Sequence, residues 1–156
     1  MVLIMESPAQ MPTNLSFYET DYYAWIEKQV ALLRARDTEK LDLANLAEEV
    51  EDMGKSEKRA VASNLRVVLM HLLKYQFQPE WRTNSWRGTL IEHRKRLERA
   101  FEDSPSLYRY ALEDLSRSYE DARQLAAAET GLPIDTFPQE CPYSLEETLN
   151  LDFLPE

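Results

Sequence analysis

The sequence predicts an all-α fold, a single-domain bundle of about five helices with a proline-rich C-terminal wrap. Two observations support this prediction. Apolar residues recur at three- and four-residue spacing in five segments, and each segment has a capping residue before it or a helix-ending residue after it. Only three glycines occur among the 156 residues, in a chain rich in Ala, Leu, Glu and Arg. Such a composition favours helix over turn-rich β structure.

Two predicted helices lie before Gly54. The first spans residues 18–36, with Ser16 or Thr20 as its candidate N-cap. Asp42 is the candidate N-cap of the second, shorter helix, and Gly54 is expected to end it. The apolar face of this second helix consists of Leu43, Leu46, Ala47, Val50 and Met53.

Two further predicted helices form a hairpin. The third helix begins after Ser56 and runs to about Phe77, and its wide apolar stripe predicts a central position. Proline cannot continue a helix, so Pro79 forces a break. The fourth helix is expected to begin near Asn84 or Ser85.

The fifth helix is predicted to open at Ser104 and Pro105 and to end at Gly131. The tail that follows, residues 132–156, holds four prolines and several large apolar residues, so we expect it to pack across the bundle. Residues 1–15 read as a flexible N-terminal arm.

The predicted domain therefore covers residues 16–156, including this tail. Within the tail, Ser144 and Glu147 fit a capping box for one short helix.

Charge is unevenly distributed along the chain. The formal net charge is −10, yet residues 55–99 hold 11 Lys and Arg against 4 Asp and Glu, a net charge of +7. The remainder of the chain therefore carries −17. Two explanations stay open: the acidic flanks cover the basic hairpin, or the hairpin presents a surface to an acidic partner.

Cysteine and hydropathy indicate a cytoplasmic protein. Cys141 is the single cysteine, which excludes an internal disulfide and fits a reducing compartment. No apolar run is long enough to cross a membrane, and the opening MVLIM lacks the basic start and the length of a signal peptide. We therefore expect no membrane association.

Several blocks of the chain resemble the bacterial domain-of-unknown-function family number twenty-nine. These blocks occur in the family's order over about residues 17–156 and read YETDYYAWIEKQVALLR, LDLANLAEEVEDMG, HLLKYQFQP, SWRGTLIEHR, PSLYRYA and FPQECPYSLEETL. The resemblance implies an all-helical fold in a bacterial protein. It supplies no catalytic residue.

An aromatic–guanidinium cluster at the start of the fourth helix is the best ligand candidate. It consists of Trp81, Arg82, Ser85, Trp86 and Arg87. Arginines and backbone N–H groups at a helix start can take an anion or an acidic partner. The structural alternative is that the tryptophans anchor the loop, with arginine stacked on them internally.

His71 and His93 are weak candidates for a metal site. Each lies eleven residues from a hairpin centre at Arg82, which predicts equal height on neighbouring helices. Two histidines leave a zinc ion short of ligands, so we expect them to be semi-buried and hydrogen-bonded, to Tyr75 or a carboxylate of the first two helices. No metal and no cofactor is predicted.

Two other reactive groups have ordinary explanations. The acidic run of Glu48, Glu49, Glu51 and Asp52 fits a solvated helix face better than a cation site. Cys141 follows an acidic residue, which disfavours a thiolate, so an apolar anchor in the tail is expected.

No phosphate-binding glycine loop, nucleophile elbow or paired-cysteine motif occurs. The function favoured by the sequence is a non-catalytic cytoplasmic interaction or regulatory module with a protein partner, either monomeric or homodimeric. Two alternatives remain. One is a nucleic-acid-associated protein using the basic helix of residues 82–99, which the acidic net charge disfavours. The other is a metal- or anion-dependent enzyme around His71 and His93.

Overall fold

The computed structural model describes the backbone of residues 14–156 and the side chains of residues 17–156. About 80% of the described residues are helical, and none of them lies in a strand. The all-α prediction is confirmed. The helices of this described part are α1 (Asn14–Thr20), α2 (Tyr22–Ala35), α3 (Leu43–Phe77), α4 (Asn84–Asp103), α5 (Ser106–Thr130) and α6 (Leu145–Leu149).

The described part of the chain divides into two compact units, the first ending at Gly54 and the second beginning at Lys55. Helix α3 belongs to both, and a single domain over residues 16–156 stays a prediction. The predicted N-terminal arm falls mostly on residues 1–13, which lie outside the described residues. No helix in the described part of the chain is both long and apolar enough to span a bilayer.

The first unit contains a helix break that the sequence analysis missed. The predicted continuous helix over residues 18–36 is wrong, because Asp21 separates α1 from α2. Its backbone is non-helical, with φ −148°, and its carboxylate accepts a hydrogen bond from the Ala24 N–H at 3.1 Å. Asp21 is therefore the N-cap of α2, rather than Ser16 or Thr20. Aspartate is a preferred N-cap because its short carboxylate reaches the free amides of the first turn.

Polar contacts stabilise the interior of the first unit. The Trp25 indole N–H donates to Asp42 Oδ2 at 3.0 Å, and the Asp42 backbone N–H donates to Gln29 Oε1 at 2.8 Å. Asp42 also caps α3, because its Oδ1 accepts from the Asn45 N–H at 3.4 Å, as the sequence predicts. Trp25 and Gln29 are the buried residues of α2.

Helix α3 runs through Gly54 without interruption. The prediction that Gly54 ends a helix and Ser56 begins another is therefore wrong. A single glycine costs a helix only about 1 kcal/mol relative to alanine, and its neighbours here are good helix formers. The predicted apolar face before Gly54 is also largely solvent-exposed: Leu43, Val50 and Met53 are 65%, 66% and 68% exposed.

The second unit is built on three long helical segments. Lys58 of α3 lies over the Tyr110 ring, and Lys74 pairs with Glu129, so α3 and α5 run in the same direction. Helix α4, which lies between them in the sequence, runs in the opposite direction. Their buried side chains form one core, to which α3 contributes Val61, Leu65, Val68, Leu69, Met70, Leu72 and Leu73. The predicted central position of this helix is confirmed.

The tail packs on this core, as the sequence predicts. Phe137, Tyr143 and Leu145 are each at least 95% buried. The Tyr143 hydroxyl donates to Gln76 Oε1 of α3 at 2.6 Å. The predicted capping box opens α6, and Gly131 ends α5 in the left-handed conformation with φ 72°.

Candidate functional site

The corner between α3 and α4 carries an exposed tryptophan beside a fixed arginine. A short 3₁₀ turn, Pro79–Trp81, joins the two helices and leaves Trp81 65% exposed. The Arg82 guanidinium lies 4.3 Å from the centre of the Tyr75 ring, and its Nε donates to the Tyr75 carbonyl at 2.7 Å. We call Tyr75, Trp81 and Arg82 the Trp81 corner.

Trp86 faces the bundle instead of joining this corner. Lys74 Nζ lies 4.7 Å from the centre of its ring and also pairs with Glu129 at 2.8 Å. Thr83 caps α4, because Thr83 Oγ1 accepts from the Trp86 N–H at 3.2 Å. The Trp86 ring thus anchors α4 to α3, which is the structural alternative weighed for these tryptophans.

The five predicted cluster residues are therefore divided among different surroundings. Trp81 and Arg82 share the corner, while Ser85 is exposed and its carbonyl accepts from the Thr89 hydroxyl. Arg87 lines a cavity of about 190 Å³ together with the C-terminal tail. Sequence reasoning missed Tyr75 as the platform for Arg82. The predicted turn between the two helices could have indicated this contact, because it brings Arg82 back toward the end of α3.

Arg94 lies at the centre of the contact between α4 and the tail. Its side chain is buried, with an exposed fraction of 1%. The guanidinium donates to the carbonyls of Thr148 at 2.8 Å, Phe153 at 3.0 Å and Glu147 at 3.4 Å. Burial lowers the pKa of Arg94 to about 10, which still leaves the group charged at neutral pH. This arginine is a structural residue and is not available to a phosphate backbone.

Two of the other cations of α4 pair within their own helix. Arg96 binds Glu92 at 2.5 Å and Lys95 binds Glu98 at 3.6 Å. One of the two explanations left open by the sequence was that acidic flanks cover the basic hairpin, and these two pairs do not use the flanks. Spacings of three and four residues bring such partners together on one helix face.

Each histidine is held by a polar group of α3. His71 Nδ1 lies 2.9 Å from the Val67 carbonyl, and His93 Nδ1 lies 2.7 Å from Asn64 Oδ1. The prediction that Tyr75 or a carboxylate would be the hydrogen-bond partner is therefore wrong. Among the described residues, no group of three His, Cys, Asp or Glu side chains is arranged to hold a metal ion.

The two histidine rings also lie at different heights along the axes of α3 and α4. The cross-hairpin pairs Asn64–His93 and Lys74–Trp86 have their sequence midpoint near Pro79, not at Arg82. His71 is then level with residue 87, six residues before His93, which offsets the two rings by about 9 Å along the helix axes at 1.5 Å per residue. Burial is the largest cause that lowers the pKa of His71, and the charge of His93 is a further, smaller one.

We expect both histidines to titrate below their ordinary range. Burial is the main cause that lowers the pKa of His71 and of His93. As pH falls through about 6.5, the unfolded chain takes up protons that the folded chain resists, so the free energy of unfolding falls. NMR titration of the ring protons measures the two pKa values, and urea unfolding from neutral to mildly acidic pH measures the slope. His71→Gln and His93→Gln should each reduce that slope. A midpoint at or above 6.5 would contradict the expectation.

Glu49 of the acidic run has a defined structural contact. The hydroxyls of Tyr18 and Tyr22 donate to its two carboxylate oxygens at 2.7 and 2.5 Å. These bonds, that of Tyr22 first, hold the pKa of Glu49 below its usual value. Glu49 thus joins α3 to the first two helices rather than serving as a free cation ligand.

Cys141 lies in the tail and is half-buried. Its Sγ donates to the Tyr143 carbonyl at 3.3 Å. Burial is the largest cause that raises the pKa of the thiol. A raised pKa keeps the group as a thiol at neutral pH, which fits the predicted role of an apolar anchor.

The fold and these contacts define an all-helical protein with an exposed tryptophan at the corner between α3 and α4. The chain belongs to the family described as "Domain of unknown function DUF29", whose model matches residues 17–154. The resemblance drawn from the sequence blocks is confirmed. No curated protein and no solved structure matches the chain in comparison searches.

Proposed function

We propose that this protein is a non-catalytic interaction module of the bacterial cytoplasm and that it binds an acidic segment of a protein partner through the Trp81 corner. The observation that carries the proposal is the 65% exposure of Trp81 next in sequence to Arg82, whose guanidinium lies 4.3 Å from the centre of the Tyr75 ring. Tryptophan, tyrosine and arginine are the residues most enriched where interfaces gain their binding energy.

The corner is prepared for an acidic ligand. The Arg82 side chain is fixed by its Nε–carbonyl bond and by the Tyr75 ring, so little conformational entropy is lost when it binds. No carboxylate of the described residues lies within ion-pair distance of Arg82. A carboxylate of the partner would meet a positioned guanidinium, and an apolar side chain would cover the Trp81 ring.

The alternatives draw less support from the described residues. A nucleic-acid role for residues 82–99 needs a continuous row of free cations. Arg94 is buried, and Lys95 and Arg96 are paired, so the exposed cations of this segment are separated from one another. An enzyme around His71 and His93 needs further ligands or a nucleophile beside rings that are already hydrogen-bonded. Monomer or homodimer stays a prediction.

Partner capture tests the proposal. We expect Trp81→Ala to weaken binding of the captured partner by about thirtyfold or more, the scale of an interface hot spot. Arg82→Gln should also weaken it. The melting temperatures of both variants should stay close to that of the parent, since exposed substitutions change stability by about 0.5 kcal/mol or less.

Tyr23→Ala and Arg99→Gln are the matched controls, because each removes an exposed aromatic or cation elsewhere. If the Trp81→Ala variant captures the partner as well as the parent protein does, the Trp81 corner is not the binding surface. Submicromolar nucleic-acid binding that requires Lys95, Arg96 and Arg99 would favour the nucleic-acid role instead.

A further inference from the structure

The second unit holds a polar groove between α3 and α5 that uses no residue of the Trp81 corner. Its volume is about 370 Å³, within the range of small-molecule sites. Helix α3 contributes Arg59 and Arg66, which lie seven residues apart and therefore on one face. Helix α5 contributes one stripe at helical spacing, made of Tyr110, Asp114, Arg117 and Asp121.

The arginines of this groove lack ion-pair partners. In the described part of the chain, no carboxylate lies within 4.0 Å of Arg59, Arg66 or Arg117, although Asp114 and Asp121 line the same groove. Two arginines of α5 differ in this respect. Arg109 pairs with Glu113 four residues later at 3.1 Å, whereas Arg117 and Asp121 have the same spacing and are not paired.

The remaining polar groups of the groove are positioned. Asp114 accepts a hydrogen bond from the buried Ser118 hydroxyl at 2.6 Å, which fixes its carboxylate. Burial first, and then the charge of Asp114, raise the pKa of Tyr110, so its phenol stays a neutral hydrogen-bond donor. Arg66 is half-buried, and a partly desolvated guanidinium binds an anion more strongly than an exposed one.

We propose that this groove binds a small phosphorylated metabolite that carries free hydroxyl groups. The phosphate is taken by Arg59, Arg66 and Arg117, since guanidinium groups match phosphate oxygens in pairs. The hydroxyls donate to the carboxylates of Asp114 and Asp121. Three arginines and two aspartates leave one net positive charge, which suits a single phosphate group and disfavours a polyanion.

Calorimetric titration of the full chain tests this proposal with three probes: glucose 6-phosphate, inorganic phosphate and glucose. We expect saturable single-site binding of glucose 6-phosphate, weaker binding of inorganic phosphate and none of glucose. Arg66→Gln and Arg117→Gln should each weaken both phosphate probes at least about tenfold, the scale of a lost charged hydrogen bond. Asp121→Asn should weaken glucose 6-phosphate and spare inorganic phosphate.

Arg99→Gln and Arg109→Gln are matched controls that remove exposed arginines outside the groove. Arg117 is exposed, so its variant remains informative if Arg66→Gln does not fold. Absence of saturable binding by both phosphate probes, or binding unchanged in the Arg117→Gln variant, would overturn the proposal. Tighter binding of a single-stranded oligonucleotide, lost in the same variants, would overturn it in favour of nucleic acid.

Discussion

Truncation after Gly131 is expected to lower the free energy of unfolding by about 5 kcal/mol or more. The tail buries Phe137, Tyr143 and Leu145 almost completely, and each large apolar side chain contributes about 1.5–3 kcal/mol when buried. Their removal also exposes the core beneath them. For a domain of this size, the melting temperature should fall by about 10 °C or more.

Thermal unfolding followed by circular dichroism measures this effect. Glu140→Ala is the control within the tail, because Glu140 is exposed and its removal should leave the transition in place. If the truncated chain melts at the temperature of the full chain, the tail is an appendage and its burial contributes no stability.

Arg94→Ala is expected to destabilise the protein by about 3–5 kcal/mol. Its loss leaves the carbonyls of Thr148 and Phe153 without their donor, and a buried unsatisfied polar group costs about 1–3 kcal/mol. The missing side chain also leaves a cavity between α4 and the tail. Arg94→Lys should recover only part of the loss, because one ammonium cannot reproduce the planar fork of a guanidinium.

Urea unfolding of these variants gives the free energies directly. Arg99→Ala is the matched control, since Arg99 lies five residues further along α4 and is exposed. Equal stability of the Arg94→Ala and Arg99→Ala variants would mean that the carbonyl bonds add nothing to the fold.

Arginine–carbonyl bonds are a general device in this tail. Arg123 of α5 is also buried, and its Nε donates to the Phe137 carbonyl at 3.2 Å. The tail has little regular structure, so many of its carbonyls have no partner in a helix or a sheet. Buried backbone carbonyls need donors, and the long side chains of two core-facing arginines supply them.

The basic charge of residues 55–99 is distributed among separate structural roles. Arg94 binds tail carbonyls, Lys95 and Arg96 form ion pairs, and Arg82 lies on an aromatic ring. Arg59 and Arg66 line the α3–α5 groove, and neither forms an ion pair in the described part of the chain. A net charge of +7 in the sequence therefore does not translate into one continuous basic surface.

The sequence by itself determined the features that depend on neighbouring residues. The capping box at Ser144, the left-handed end of α5 at Gly131 and the start of α4 at Asn84 all follow from local backbone chemistry. The break at Asp21 has the same local origin, and reading this aspartate as an N-cap would have predicted it. The all-α class follows because these signals agree along the chain.

Tertiary structure decided the features that depend on distant residues. Burial of Arg94 depends on carbonyls more than fifty residues away, and the periodicity of α4 contains no sign of them. The platform of Tyr75 under Arg82 and the groove between α3 and α5 likewise arise only when the helices pack, because side chains from separate segments then share one space.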